Sequence, residues 1–134
     1  MIQEKIDRLH RLDADIAYTI EAIDELRTSA ERITSALTFA GGGVVTDHGN
    51  EELRIKLAQL TGELEKKTAE YAALKTELVD LIGRLPRQSL RSVAKGRLID
   101  RLTWTEIASK THYSQGHCRR LCADALEALE GASK

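Results

Sequence analysis

Between Ser114 and Arg120 the sequence reads SQGHCRR, placing an amide, an imidazole, a thiol and two guanidinium groups within two helical turns. An arginine fork suits guanine by two parallel hydrogen bonds, and a glutamine suits adenine by the same geometry. On a helix advancing about 100° per residue, Gln115, Gly116, Arg119, Arg120 and Ala123 share one side. Cys118, Leu121, Cys122, Ala125 and Leu129 make an apolar stripe on the other. Small residues for close approach, an amide and guanidinium forks are what a recognition helix offers to base edges.

Other residues nearby carry compatible chemistry. Ser114 is placed to cap this helix, with His117 in its first turn. Thr103 and Glu106 have the spacing of a capping box, which starts another helix just before it. Arg87, Arg91 and Lys95 form a basic row at four-residue spacing, and like charges so placed destabilise an isolated helix unless an anion offsets them. Phosphates would serve. The candidate DNA contacts are therefore Arg87, Arg91, Lys95, Thr103, Ser114, Gln115, Gly116, His117, Arg119 and Arg120.

Competing chemistries are weaker. His112, His117, Cys118 and Cys122 invite a metal site, but Cys118 is needed in a helix–helix core and no third cysteine exists. The glycines at 41–43 lack the Gly-Lys-Ser/Thr of a phosphate loop, so they read as turn residues. Asp47 and His48 read as loop surface, and no nucleophile–base–acid set has a useful spacing. The expectation is a chain that is not an enzyme, with no metal and no cofactor.

The elements that would position these residues follow from composition and periodicity. Of 134 residues, 42% are apolar but only 4% aromatic, an aliphatic mix with one proline that favours helix over sheet. No apolar run is long enough to span a bilayer, and the charged start MIQEKIDRLH does not resemble a signal peptide, so a cytoplasmic protein is expected. Two cysteines four residues apart are too poor a set for a disulfide framework. The net charge of −1 conceals a division. Residues 1–83 hold ten Lys/Arg against sixteen Asp/Glu, whereas residues 84–134 hold ten against five. Grouped positive charge of this kind points to a polyanion partner.

Residues 2–38 read as one amphipathic helix, with Ile2, Ile6, Leu9, Ile16, Ile20, Ile23, Ala30, Ile33 and Leu37 at three- and four-residue steps. FAGGGVVTDHGN then breaks it, and a second helix starts at about Glu51. There Leu57, Leu64, Tyr71 and Leu78 stand seven apart, as do Leu53, Leu60, Lys67, Leu74 and Leu81, a heptad seam with one polar residue. The two helices predict an antiparallel hairpin about 50 Å long. Its seam is too long for one partner helix to cover, so a homodimer through residues 2–81 is expected. The competing arrangement is a monomer in which the hairpin packs on the C-terminal module.

Gly83 and Pro86 mark the boundary between an arm, residues 1–83, and a head, residues 84–134. Three helices fit the head, from about Pro86 to Arg101, Trp104 to Lys110 and Gln115 to Leu129. Between the last two, THYS has the length of the turn in a helix-turn-helix. Ile107, Ala108, Tyr113, Cys118 and Leu121 fall where that motif packs its helices together. The turn often carries Gly; here it carries His112, which tolerates a left-handed backbone better than most residues. The fold class is thus all-α, a long coiled-coil hairpin followed by a three-helix head.

RLIDRLTWTEIASKTHYSQGHCRRLCADALEAL resembles region four of bacterial sigma factors. It is closer still to small phage-encoded regulators of the ArpU/RinA type, which also join a long helical segment to such a head. Arg97, Ile99, Trp104, Ile107, Ala108, Tyr113, Ser114, Arg120, Leu121, Ala125 and Leu126 occupy the positions of their shared pattern. The likeness covers about the last 50 residues. It implies sequence-specific binding of double-stranded DNA and a role in phage or prophage transcription, with RNA polymerase as a further partner. Cys122 stands where the relatives often carry His. Two other classes compete: a protein-interaction module such as an antirepressor or polymerase-binding factor, and a small terminase subunit, whose DNA-binding part usually comes first rather than last.

Overall fold

The computed structural model describes residues 1–39 and 47–132; of residues 33–39 and 47–50 it describes only the backbone. The protein is all-α. Its helices are α1 (Ile2–Phe39), α2 (Asp47–Gly83), α3 (Gln88–Ala94), α4 (Trp104–Thr111) and α5 (Gln115–Ala132), with a π-helical turn, Lys95–Ile99, continuing α3. Among the described residues no helix is long and apolar enough to cross a membrane. The glycine turn expected at 41–43 and the side chains of Ile33, Leu37, Asp47 and His48 lie outside the described residues.

The chain divides into two compact units. One joins Met1–Arg11 to Tyr71–Lys134 and the other is Leu12–Glu70. This division falls elsewhere than the 83/84 punctuation, for a hydrophobic reason. Ile2, Ile6 and Leu9 of α1 and Leu78 and Ile82 of α2 are buried in one cluster with Leu90, Val93, Ile107, Cys118, Leu121 and Leu129. Within this unit α3 packs on α5, and α4 packs on both. Polar contacts fix the same junction. Glu130 Oε1 accepts from the backbone N–H groups of Ile2 (2.9 Å) and Gln3 (3.3 Å), placing a carboxylate on the first turn of α1. Lys5 pairs with Glu77.

In the other unit the buried stripe of α1 runs through Leu12, Thr19 and Ile23, with Ile16, Leu26 and Ala30 half-buried. Ile20, expected in the stripe, is 45% exposed. The alternation of three- and four-residue steps passes through Thr19 instead, one residue earlier. Its hydroxyl donates to the Asp15 carbonyl (2.8 Å) and accepts from Lys67 Nζ (3.4 Å). The polar residue of the α2 seam therefore meets the polar residue of the α1 stripe. Leu53, Leu57, Leu60 and Leu64 are only half-buried.

The segment before α4 departs from the single helix expected over 86–101. Pro86 precedes the helix rather than starting it: Arg87 is the extended N-cap (φ −119°, ψ 140°), and α3 begins at Gln88. After Ala94 the backbone widens, with Asp100 N–H bonded to the Lys95 carbonyl at 3.0 Å, five residues back. Gly96 is buried beside Ile107 and Leu102; a Cβ there would stand 3.5 Å and 3.6 Å from their side-chain carbons, an ordinary contact. Arg101 then stops the helix in the left-handed region (φ 57°), a position usually given to glycine, and Leu102 N–H closes onto the Gly96 carbonyl at 2.9 Å.

His112 is the other left-handed residue, with φ 64° and ψ 22°, and its N–H bonds to the Ala108 carbonyl. An ordinary side chain in this region costs about 1–2 kcal/mol, and glycine costs about 0.5–1 kcal/mol in unfolded-state entropy. Replacing His112 by Gly should therefore leave stability equal or raise it by up to about 1 kcal/mol. A β-branched Val at this position should lower it by about 1–2 kcal/mol. Urea unfolding followed by circular dichroism measures both.

Candidate nucleic-acid interface

Helices α4 and α5 are joined by three residues, His112 to Ser114, and each begins with a side-chain cap. Thr103 Oγ1 accepts from Glu106 N–H at 3.1 Å while Glu106 Oε1 accepts from Thr103 N–H at 3.4 Å, completing the capping box. Ser114 Oγ accepts from His117 N–H at 3.1 Å and starts α5 in the same way. The inner stripe of α5 is buried as expected, with Cys118, Leu121, Cys122, Ala125 and Leu129 all inside. Ile107 is buried against it and Ala108 is half-buried.

Tyr113, expected between the two helices, is 39% exposed. The left-handed turn at His112 directs the chain outward, and the Tyr113 ring meets His117 edge-on at 4.9 Å between centroids. His117 is thus half-buried by its own turn.

The outer face of α5 presents Gln115, Gly116, Arg119 and Arg120, all exposed. They are not equally independent. Gln115 Nε2 donates to Thr105 Oγ1 (3.2 Å), joining the starts of the two helices. Arg119 lies over the Trp104 ring at 5.7 Å, and Arg97 lies over the same ring at 4.4 Å. A Cβ on Gly116 would meet only Arg120 Nη1, at 3.9 Å, so the surface is open at that point.

The row Arg87, Arg91 and Lys95 spans the N-cap of α3, α3 itself and the π-helical turn, and two of its members have partners within the chain. Arg91 is half-buried; its guanidinium donates to the Leu85 carbonyl and to Gln88 Oε1 (2.9 Å). Lys95 is paired with Asp100 at 3.8 Å. The chain itself thus supplies the oxygens that offset two of the three charges. Arg87 is exposed ahead of α3. The Thr103 hydroxyl, similarly, is engaged with Glu106 Oε1 at 3.0 Å.

Both cysteines are buried free thiols. Burial pushes the Cys122 thiol above its ordinary range, against a smaller opposing pull from the Arg97 charge. A protonated thiol is a poor metal ligand. Among the described residues no group of three or more His, Cys, Asp or Glu is placed to hold a metal ion.

Sequence reasoning passed over the role of Trp104 as the platform for Arg97 and Arg119, and of Thr105 as the partner of Gln115. Spacing carried a weak signal for the first, because Trp104 opens α4 while Arg119 falls in the second turn of α5. No protein-family model matches the chain, and neither a curated protein nor a solved structure matches it.

The capping box gives a direct check on this unit. Glu106→Ala removes the carboxylate that accepts from Thr103, and should lower stability by about 0.5–2 kcal/mol. The change in the denaturant midpoint, at unchanged slope, measures it.

Proposed function

We propose that the protein is a sequence-specific, double-stranded DNA-binding regulator of transcription, of the phage or prophage kind its C-terminal residues resemble. The observation that carries this reading is the two-sided character of α5. Its inner face is entirely apolar and buried, and its first two turns expose an amide, a glycine and two guanidinium groups. In this reading α4 and α5 act as a helix-turn-helix, with α5 in the major groove, where an amide and arginine forks can address base edges. Ser114 sets where the helix starts and therefore which side chains reach the floor of the groove.

Arg87 and Arg120 supply phosphate contacts in this reading. Lys95 and Arg91 do so only by exchanging the partners they already have. Counterion release at such contacts gives most of the non-specific affinity. Gln115 and Arg119 carry sequence discrimination.

The test is a comparison of preferred and random duplexes, after selection of a preferred site from random DNA. Arg119→Ala should lose about 1–3 kcal/mol on the preferred site and little on random DNA. A folded variant with the wild-type ratio would remove the helix from sequence reading and leave the protein-interaction class in its place.

We further propose that two copies associate through residues 2–81, arranged as a helical hairpin. The half-burial of Leu53, Leu57, Leu60 and Leu64 supports this, since a heptad seam that one helix leaves partly open gains by adding another. A two-fold dimer also matches a palindromic site. Sedimentation at micromolar concentration should give the mass of two chains, and that of one chain when Leu64 and Leu74 are both changed to Gln. A one-chain mass for the wild type would end this part of the reading, and a ring-sized mass would favour a terminase-like assembly.

A further inference from the structure

Trp104, the only tryptophan in the chain, opens α4 and is half-buried against the apolar cluster. Two arginines from different elements lie over its ring: Arg97 of the π-helical turn at 4.4 Å and Arg119 of α5 at 5.7 Å. The nearer one is tied down, because Arg97 Nη1 donates to the Leu102 carbonyl at 3.0 Å. Apolar packing and an anchored guanidinium therefore both hold the ring. Arg119 and its neighbour Arg120 are both exposed but disposed differently. Arg120 keeps to its own helix, with Nη1 3.9 Å from where a Cβ on Gly116 would stand. Arg119 instead reaches from α5 to the first residue of α4.

We propose that Trp104 is a specificity-determining positioning residue, whose ring sets the direction in which Arg119 meets DNA. This rests on the DNA-binding reading above and adds to it a residue that need not touch DNA. A cation held over an aromatic face keeps its N–H donors, since the contact is electrostatic and consumes no hydrogen bond. An arginine reads guanine by two parallel hydrogen bonds, so its guanidinium must present one edge at one angle. A loose arginine can meet a phosphate from many rotamers and that base edge from few. Restricting it beforehand favours the base over the backbone. Arg97 serves the same end one step back, by fixing the ring. Packing alone would make Trp104 a stability residue with no bearing on which duplex is preferred.

The experiment uses the full chain with a preferred duplex selected from random DNA and a random duplex as reference. Trp104→Leu should lower the ratio of the two affinities about two- to tenfold, the range that ordering one long side chain spans. The salt slope should stay as in the wild type, because no charge is removed. Trp104→Phe keeps a ring with a weaker face, so it should lose a smaller part; it also serves where the Leu variant lacks native helicity. In an Arg119→Ala background Trp104→Leu should have no further effect on the ratio, which a merely structural role would not produce. The single tryptophan gives a second readout in the free protein. Its emission should change in Arg119→Ala and not in Arg120→Ala.

Folded Trp104 variants with the wild-type ratio, beside an Arg119→Ala that loses it, overturn the proposal and leave the DNA reading standing. So does a loss in Trp104→Leu that persists at full size without Arg119, or a tryptophan emission indifferent to Arg119→Ala. An Arg119→Ala that itself keeps the wild-type ratio removes the DNA reading, and this inference with it.

Discussion

The unit that carries the candidate interface depends on one constraint: two short helices and α5 do not enclose their apolar faces alone. Helix α3 has seven residues and α4 has eight, and they bury only Leu90, Val93 and Ala94 from one and Ile107 from the other. Ile2, Ile6 and Leu9 of α1 and Leu78 and Ile82 of α2 complete the core. Full burial of side chains of this type stabilises by about 1.5–3 kcal/mol each. Losing these residues would therefore remove a large fraction of a small unit's stability. The backbone cap from Glu130 and the His10 bond to the Leu98 carbonyl are the directional part of the same junction. They set register where apolar contact alone would permit sliding.

This constraint also explains the form of the segment between α3 and α4. To reach α4 while keeping Leu98 and Ile99 inside, the chain widens into a π-helical turn and stops at a left-handed arginine. Gly96 is buried against Ile107 within this turn. The result places Arg97 on Trp104 and Arg101 at a cleft with His10.

Local features were legible in the sequence and long-range ones were not. The capping box at Thr103, the cap at Ser114, the left-handed backbone at His112 and the buried stripe of α5 depend on residues within one or two turns of each other, and their spacing announces them. Tyr113 was misplaced because apolar character suggested the interior while the turn geometry directs it outward. Ile20 was misplaced by one residue because Thr19 is polar, although its hydroxyl has both a carbonyl and Lys67 as partners. The contacts of His10 with Leu98 and of Glu130 with Ile2 join residues about ninety or more apart in the chain, and no periodicity records them. The row Arg87, Arg91, Lys95 showed the converse limit. Its spacing was real, but the oxygens of Leu85, Gln88 and Asp100 were invisible as partners until the chain was folded.

The internal contacts of the outer face bear on how it would bind. Gln115 held by Thr105 and Arg119 laid over Trp104 are partly ordered before any ligand arrives. Ordering a rotamer-rich side chain on binding costs about 0.5–1.5 kcal/mol, so this preorganisation lowers that cost for the two residues best suited to read bases. The hydrogen bond of Gln115 uses one of its two amide hydrogens and leaves the carbonyl and the other hydrogen, which is the pair needed for adenine. Arg119 lies over the Trp104 ring at 5.7 Å, a cation–π contact rather than a hydrogen bond, so its N–H donors are not consumed by it. Arg120 and Arg87 follow a different logic. A phosphate contact tolerates several rotamers, and a mobile cation can track the backbone. On the proposed reading, the residues assigned to bases are the ones the protein already holds, and Arg87 and Arg120, assigned to phosphates, are simply exposed.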